Sequence, residues 1–336
     1  MIKKFLLKER SKAILRSLRY ESGLFAASKK NVETGYNKAW IRDNIYEALG
    51  FEAIKDINSI RKTYAALFDI LLKHEDKINW AIKEKPDAAY KYIHARFCPI
   101  TFDEFHENWG NKQNDAIGAF LFKVGDMYEK KVHLFRDNND INILQKLVKY
   151  LESIEYWHDS DHGVWENEEE IHASSVGACL AGLKKIKQLV HVPDYLIENG
   201  ENALNELLPR ESVSKETDLA LLTLIYPYKV VSDEMTKKIL FDVETKLVRD
   251  KGVIRYFGDW YYNNGQEAEW VMGLAWLAKI YKDLGNKVRY KHYMKKLYSC
   301  VNWKGELPEL YYAGTKDHNE NTPLGWTQAM YLVAVS

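Results

Sequence analysis

The sequence predicts an all-α fold whose helices close into a ring. Apolar residues recur at helical spacing from one end of the 336-residue chain to the other. No repeat of the solenoid type is visible, which favours a closed helical toroid over an open array. The chain has seven prolines and no Gly/Ser-rich linker, so a single domain over residues 1–336 is expected.

The apolar positions mark about twelve or thirteen helical segments, each with boundaries accurate to a few residues. Between residues 141 and 154, for example, apolar side chains recur every three or four positions. A helix is also expected to begin at Arg42 and Asp43. In chain order, the other segments that the spacing marks are Ile2 to Leu18, Ile57 to Leu71, Ile117 to Tyr128, Ile141 to Ile154, Val176 to Val190, Leu219 to Ile225, Met235 to Leu247, Trp270 to Leu284, Tyr290 to Val301 and Trp326 to Val335.

Composition narrows the classes of partner. The formal net charge is zero, from 48 basic and 48 acidic residues, which argues against nucleic acid or an anionic membrane as a partner. The three cysteines, Cys98, Cys179 and Cys300, are widely spaced and fit no metal-binding pattern, which predicts reduced thiols and a cytoplasmic protein. The first ten residues lack the apolar region of a signal peptide, so secretion is not expected. No metal or cofactor is predicted.

Aromatic residues make up 13% of the chain, including 10 Trp and 22 Tyr, more than a core alone requires. Many of them fall in five polar loops between the helical segments, which predicts one functional face. The clearest loop carries Trp165 and Glu166, and strong helical patterns hold it at both ends. An indole beside an acid suits an uncharged ring with C–H faces, such as a sugar. Alternatively, Trp165 caps the core and the acidic run 168–170 is solvated near a helix N-terminus.

Two earlier loops carry similar chemistry. Arg42 and Asp43 follow Trp40 and form a fork of donors and acceptors that suits vicinal hydroxyls, or Asp43 caps a helix and Arg42 is solvated. Trp109 precedes a polar stretch that ends in Asn114 and Asp115. There the alternative is that Asn114 or Asp115 caps the next helix and Trp109 fills the core.

Two later loops complete the set. The stretch 252–262 contains Arg255 and several aromatics, and it leads through Glu269 to Trp270; its alternative is a wet aromatic surface turn. The stretch 305–311 contains Glu309, and its alternative is a surface turn with solvated acids. Carboxylates on opposite sides of an uncharged aromatic cleft are what glycosidic hydrolysis needs.

No competing catalytic motif occurs. The sequence lacks a Ser/His/Asp elbow, a phosphate loop, a dinucleotide glycine motif and an HExxH motif. The four histidines near the loops lack convincing ligand spacing and are interpreted as structural or solvated; they are His106, His158, His162 and His172.

Taken together in order, these loops resemble glycoside hydrolase family 15, the glucoamylase family, and the related glucoamylase-like domain of phosphorylase kinase regulatory subunits. The resemblance is carried by residues 36–43, 109–115, Trp165 with Glu166, 255–270 and 305–311. It implies an (α/α)6 barrel, six inner helices ringed by six outer ones, with the cleft at one end. The stretches 92–97 and 171–177 are closer to the phosphorylase kinase branch.

The resemblance also implies roles for individual residues. Glu166 resembles the general acid and Glu309 the general base of an inverting mechanism, with carboxyl groups about 6.5–9.5 Å apart. Burial against Trp165 is expected to raise the pKa of Glu166. Tyr36 resembles the aromatic near the oxocarbenium centre. The substrate-binding set implied is Tyr36, Trp40, Arg42, Asp43, Trp109, Asn114, Asp115, Trp165, Arg255, Glu269 and Trp270.

The implied function is an inverting, exo-acting α-glucosidase on a soluble oligosaccharide partner. A starch-binding domain is not evident, so raw starch is not the expected substrate. One alternative is a non-catalytic glucan-binding or regulatory protein like the phosphorylase kinase domain; others are a trehalase or isomaltase of the same family. The linkage and the oligomeric state stay open. A helical scaffold without a sugar site would leave the repeated Trp loops unexplained.

Overall fold

A computed structural model describes residues 2–107 and 109–336, and within them the chain forms thirteen α-helices. Short two-residue strands, which the sequence did not predict, lie between some of the helices. The helices are α1 (Ile2–Leu18), α2 (Ile41–Ala53), α3 (Ile57–Lys73), α4 (Glu75–Lys83), α5 (Asn114–Glu129), α6 (Asn138–Ile154), α7 (Ala173–Ile186), α8 (Asp194–Leu207), α9 (Leu222–Ile225), α10 (Asp233–Asp242), α11 (Val271–Asp283), α12 (Lys287–Ser299) and α13 (Gly325–Val335).

Six helices form a closed inner ring. Each of α2, α5, α7, α9, α11 and α13 packs against the next, and α13 packs back against α2. The outer helices α1, α3, α6, α8, α10 and α12 alternate with them along the chain, and each contacts an inner neighbour. This arrangement is an (α/α)6 toroid, and it confirms the predicted all-α fold.

Burial follows the two rings. The inner helices α7, α11 and α13 are buried on nearly every side, as expected for helices surrounded by others. The outer helix α6 buries one stripe, including Ile143, Leu147 and Leu151, and turns charged residues to solvent. The apolar pattern of the sequence therefore separates the inner helices from the outer ones.

Some boundaries differ from the sequence expectation. The helices α4 and α8 were not marked by apolar spacing, because α4 buries only Ile78 and Ala81 and the buried face of α8 includes Gly200 and Ala203. The stretch from Leu219 to Ile225 begins as a 3₁₀ turn before α9. The helix expected to run to Leu247 ends at Asp242, and a π-helical turn follows over Val243–Leu247.

The two-residue strands fasten neighbouring loops together. Strand β1 (Ala39–Trp40) pairs with β2 (Arg96–Phe97), and Trp40 lies opposite Arg96. Strand β3 (Glu269–Trp270) pairs with β4 (Leu310–Tyr311), and Trp270 lies opposite Leu310. Each pair joins loops that are distant in sequence. The helices α2 and α11 begin at the residue after β1 and β3, respectively.

The loops that precede inner helices lie at one end of the ring. Trp40, Trp270 and Leu324, which directly precede α2, α11 and α13, line a common cavity. The helix N-termini there favour negative charge. Cys98, Cys179 and Cys300 are free thiols, as the sequence predicted. In the part of the chain that the structure describes, no helix is long and apolar enough to cross a membrane.

The α5–α7 contact generates a stability prediction. A Cβ atom added at Gly118 would lie 2.4 Å from the backbone of Ala178 and Cys179, so Gly118→Ala forces the two helices apart. Such overpacking typically costs about 1–3 kcal/mol of the free energy of unfolding, measurable by urea denaturation. In an unconstrained helix the same change stabilises by about 0.5–1 kcal/mol; a stabilised variant would contradict the close packing.

Candidate active site

The predicted loops converge on one cavity of about 220 Å³. This volume is below the roughly 300–1,000 Å³ of pockets for drug-sized ligands, and it suits a single small ring. Both predicted catalytic acids line it, together with five of the ten tryptophans. The lining residues are Tyr36, Trp40, Arg42, Asp43, Trp109, Val164, Trp165, Glu166, Asn167, Arg255, Trp260, Tyr261, Trp270, Met272, Glu309, Leu324 and Trp326.

Glu166 lies on a loop that is closed on itself. The backbones of Asp161 and Glu170 pair at the base of the loop, with N···O distances of 2.9 and 3.0 Å, and Asn167 N donates to His162 O. Glu166 adopts φ of +60°, which a residue with a side chain rarely does without support from its surroundings. The loop therefore presents the carboxyl group in a fixed direction.

The Glu166 carboxyl is one quarter exposed, and it lines the cavity. Burial of its surroundings raises the pKa of Glu166, and the Arg42 guanidinium, whose Nη2 lies 3.4 Å from Glu166 Oε1, partly offsets the increase. A carboxyl group in this setting retains its proton at a higher pH than one in water.

Glu309 lies on the next-but-one loop and directly precedes β4. Its solvent-exposed fraction is 1%, yet its carboxylate receives three side-chain hydrogen bonds. Tyr36 Oη donates at 2.7 Å to one oxygen, while Asn321 Nδ2 at 2.9 Å and Asn319 Nδ2 donate to the other. Burial raises the pKa of Glu309, and these donors oppose that increase because they favour the ionised form.

Arg42 is buried rather than solvated. Its Nη1 donates to Gln113 Oε1 at 2.8 Å and to Asp115 Oδ1 at 3.1 Å, while Nη2 faces Glu166. The next residue, Asp43, lies in the first turn of α2 and lines the cavity. Burial raises the pKa of Asp43 to about 7. The pair thus presents a guanidinium and a carboxyl to the cavity, as the fork of donors and acceptors requires.

Arg255 is held by a carboxylate and surrounded by aromatic rings. Asp259 accepts from its Nε at 2.6 Å and also from Nη2. Its Cζ lies 4.8 Å from the Trp270 ring centre and 5.0 Å from that of Tyr261. Arginine over ring faces is attracted by their negative π surface. The guanidinium therefore has one fixed position at the cavity wall.

The aromatic walls are also ordered by contacts. Trp40 packs edge-on against Trp109, with centroids 6.1 Å apart, and Tyr36 lies 5.7 Å from Trp40. The Arg96 guanidinium lies over both indoles, 4.2 Å from the Trp109 centre and 5.1 Å from that of Trp40. Trp260 is 72% exposed and stands at the mouth.

A second, more open cavity of about 680 Å³ adjoins the first. It shares Trp109, Glu166, Asn167 and Trp260 with the first cavity. Glu166 thus lies at the boundary between an aromatic pit and a larger space.

Three of the predicted binding residues do not reach the cavity. Asn114 is buried, and its amide donates to Asp159 Oδ2 at 2.9 Å. Asp115 is buried against Arg42, so it supports the site from behind. Glu269 is buried, and its carboxylate accepts from the backbone N–H groups of Lys251 and Gly314. These side chains turn inward because they satisfy buried donors, which sequence order does not reveal.

Other residues at the site were not singled out from the sequence. Tyr261 lines the cavity and its hydroxyl lies 2.8 Å from that of Tyr36. Asn319 and Asn321 hold Glu309, and Asp259 holds Arg255. The signal available for the asparagines was the polar stretch just after Glu309, and for Asp259 its position four residues after Arg255.

The histidines are structural, as interpreted from their spacing. His172 is buried and its Nδ1 lies 3.0 Å from Asp161 Oδ1, and His162 Nδ1 lies 3.3 Å from Lys112 O. Across residues 2–107 and 109–336, no group of three or more His, Cys, Asp or Glu side chains is placed to hold a metal ion.

Comparison with known proteins identifies relatives in sequence. The model of the family described as Glycosyl hydrolases family 15 matches residues 3–195. The alpha regulatory subunit of phosphorylase b kinase from rabbit skeletal muscle (Oryctolagus cuniculus) is 27% identical over 66% of this chain and 21% of its own length. A probable alpha subunit of the same kinase from Caenorhabditis elegans is 25% identical over 88% of this chain. The chain spans less than a third of the length of these relatives.

Solved structures share the fold. A wild-type glycosidase superposes with a TM-score of 0.85 at 19% identity, covering 98% of this chain and 95% of its own. The glucoamylase from Saccharomycopsis fibuligera superposes with a TM-score of 0.70 at 17% identity, covering 100% of this chain and 95% of its own. At these identities the likeness establishes the architecture.

The buried ion pair at Arg42 generates a second prediction. Arg42→Met leaves the carboxylate of Asp115 buried without its cation, and breaking such a pair typically costs about 3–5 kcal/mol. The measurement is equilibrium urea unfolding. Arg289→Met is the matched control, because Arg289 is exposed and lies 3.6 Å from Glu244; exposed pairs typically contribute about 0–1 kcal/mol. Equal losses in both variants would contradict the special role of Arg42.

Proposed function

Because the chain belongs to glycosyl hydrolases family 15, we propose that it is an inverting, exo-acting α-glucosidase of soluble α-gluco-oligosaccharides. The observation that carries the proposal is that Glu166 and Glu309, distant in sequence, line the same tryptophan-walled cavity. A glycosidase needs an acid that protonates the leaving oxygen and a base that activates water.

Glu166 is proposed as the general acid. It lies at the boundary between the small cavity and the larger one, where the bond between a terminal glucosyl unit and the rest of the substrate would lie. Its raised pKa keeps a proton available for the glycosidic oxygen, which leaves as a hydroxyl group. The indole of Trp165 beside it keeps water away.

Glu309 is proposed as the general base. Three donors favour its ionised form and fix its orientation. It takes a proton from a water molecule as the water oxygen bonds to the anomeric carbon on the face opposite the leaving group, which inverts the configuration. The carboxyl groups are expected to lie about 6.5–9.5 Å apart, which leaves room for that water.

The cavity supports exo action on an uncharged sugar. Its volume of about 220 Å³ admits one ring, so a chain end fits and a chain interior does not. Arg42, Asp43 and Arg255 present charged groups to hydroxyls, and the indoles present flat faces to C–H groups. The free thiols of the three cysteines support a cytoplasmic location.

A second candidate function is a non-catalytic glucan-binding or regulatory role. The observation that favours it is that the curated relatives are regulatory subunits of phosphorylase b kinase. The two readings differ in one respect only: a regulatory domain binds sugar without releasing glucose. Within the enzyme reading, an α-1,6-glucosidase or a trehalase is distinguished by the disaccharide that is cleaved.

The catalytic assignment is tested with maltotriose, isomaltose and trehalose, following released glucose. Glu166→Gln and Glu309→Gln are each expected to lower kcat by about 10²–10⁴-fold, the usual contribution of a general acid or base. Glu198→Gln, on the exposed surface of α8, is the control and should retain full turnover. Proton NMR of the first product should show the β-anomer.

Two results would count against the proposal. Turnover that survives either glutamate substitution rejects the mechanism. Saturable binding of maltotriose or glucose, measured by calorimetry, with no turnover of any of the three sugars favours the regulatory function.

The pH dependence of kcat/KM is the fourth prediction. The reaction needs Glu309 ionised and Glu166 protonated, so the rate rises as Glu309 loses its proton and falls as Glu166 loses its own. Burial raises the pKa of both groups. Both limbs of the bell are therefore expected above the ordinary glutamate pKa of about 4.3. Limbs at or below that value would show that the carboxyls are solvated.

A further inference from the structure

Asp218 lies outside the cavity but contacts its wall. It is fully buried at the start of the 3₁₀ turn Leu219–Leu221, and its Oδ1 accepts from Ala220 N at 2.7 Å as a helix cap. The same oxygen accepts from the indole N–H of Trp165, also at 2.7 Å. Its Oδ2 has no hydrogen-bond partner among the described residues. Asp218 therefore fixes the indole that directly precedes Glu166.

The Trp165 indole is otherwise held by ring contacts alone. It stacks on Trp326 at 6.5 Å with an interplanar angle of 26°, and its centroid lies 5.7 Å from that of Trp270. The Arg255 Cζ lies 5.4 Å from the same ring. Stacked contacts of this kind permit sliding within the ring plane, whereas a hydrogen bond to Nε1 defines the rotation of the ring. The bond from Asp218 supplies that restraint.

The backbone of Asp218 restrains a second loop. Leu219 N donates to Arg255 O at 2.8 Å, and Asp218 forms an antiparallel bridge with Tyr256. One short segment thus joins the loop that carries Glu166 to the loop that carries Arg255. A shift of the segment would move both.

We propose that Asp218 is a positioning residue for Glu166, acting through the Trp165 indole; this inference rests on the proposed function of Glu166 as the general acid. Glu166 follows Trp165 directly and adopts a left-handed backbone conformation, so rotation of the indole is transmitted to the carboxyl through one peptide unit. Asp218 touches no part of the cavity lining except Trp165 and the backbone of Arg255. Its effect on the reaction is therefore geometric.

The surroundings of Asp218 make a second role as a simple charge partner testable. The Lys215 ammonium, near Asp218, offsets part of the cost of its burial, while burial itself raises the pKa of Asp218. Lys215 Nζ also lies 3.4 Å from Asn167 Oδ1, beside Glu166. A substitution that keeps the acceptor but removes the charge separates hydrogen bonding from charge.

The experiment compares Asp218→Asn with Asp218→Ser. Both residues are good helix caps, so both variants retain the bond from Ala220 N. Asparagine also reaches Trp165 Nε1, whereas serine is too short. We expect Asp218→Ser to lower kcat on the cleaved sugar by about 10–100-fold, because small misplacements of a reacting group cost up to about 10². KM should change less than kcat, and Asp218→Asn should restore kcat to near the wild-type value.

Asp56→Ser is the matched control. Asp56 caps α3 by accepting from Ser59 N at 3.1 Å, and it lies outside the cavity lining. This variant should retain wild-type kcat. Thermal unfolding of all four proteins shows that each is folded at the assay temperature.

The outcomes are distinct. Equal kcat in wild type and Asp218→Ser overturns the positioning role, and so does an equal loss in Asp218→Asn, because that result assigns the effect to charge. A wild-type protein without turnover on any of the three sugars defeats the proposed function instead. Loss confined to Asp218→Ser and rescued by Asp218→Asn supports the inference.

Discussion

The buried guanidinium of Arg42 is the interaction on which the site depends. It connects three elements: its own helix α2, the start of α5 through Asp115, and the loop that carries Glu166. A buried cation needs partners on every side, because an unpaired charge away from water is very costly. The requirement for charge pairing in the interior therefore fixes the relative positions of groups that also face the cavity.

A common logic of restraint applies to the whole cavity. The fold places loops at the end of the ring where inner helices begin, and loops are ordinarily the mobile parts of a protein. Here short β pairings, closed loop bases and side-chain hydrogen bonds hold them. Trp40 is fixed opposite Arg96 and Trp270 opposite Leu310, while Glu309 is fixed by three donors. Rigid placement of this kind is what positions reacting groups.

The concentration of acids at this end of the ring combines stability with reactivity. Helix N-termini and arginines offset the cost of burying carboxyl groups such as Asp43 and Glu309, yet burial still raises their pKa values. An environment that were fully compensating would leave no carboxyl able to hold a proton near neutrality. The same environment suits a binding domain, since it presents charged groups to sugar hydroxyls whether or not a bond is broken. The catalytic and regulatory functions therefore share one architecture and differ in chemistry.

The sequence by itself determined the helical fold and the five loops, because apolar spacing and the placement of Trp beside polar residues are local patterns. It missed α4 and α8, whose buried faces are small, and the two-residue strands, whose pairing joins distant segments. Only the tertiary structure decided which polar side chains face the cavity. Asn114, Asp115 and Glu269 turn inward to buried partners, whereas Tyr261 faces the cavity. The reason is that a side chain's direction depends on hydrogen-bond partners that lie far away in sequence, and no local pattern records them.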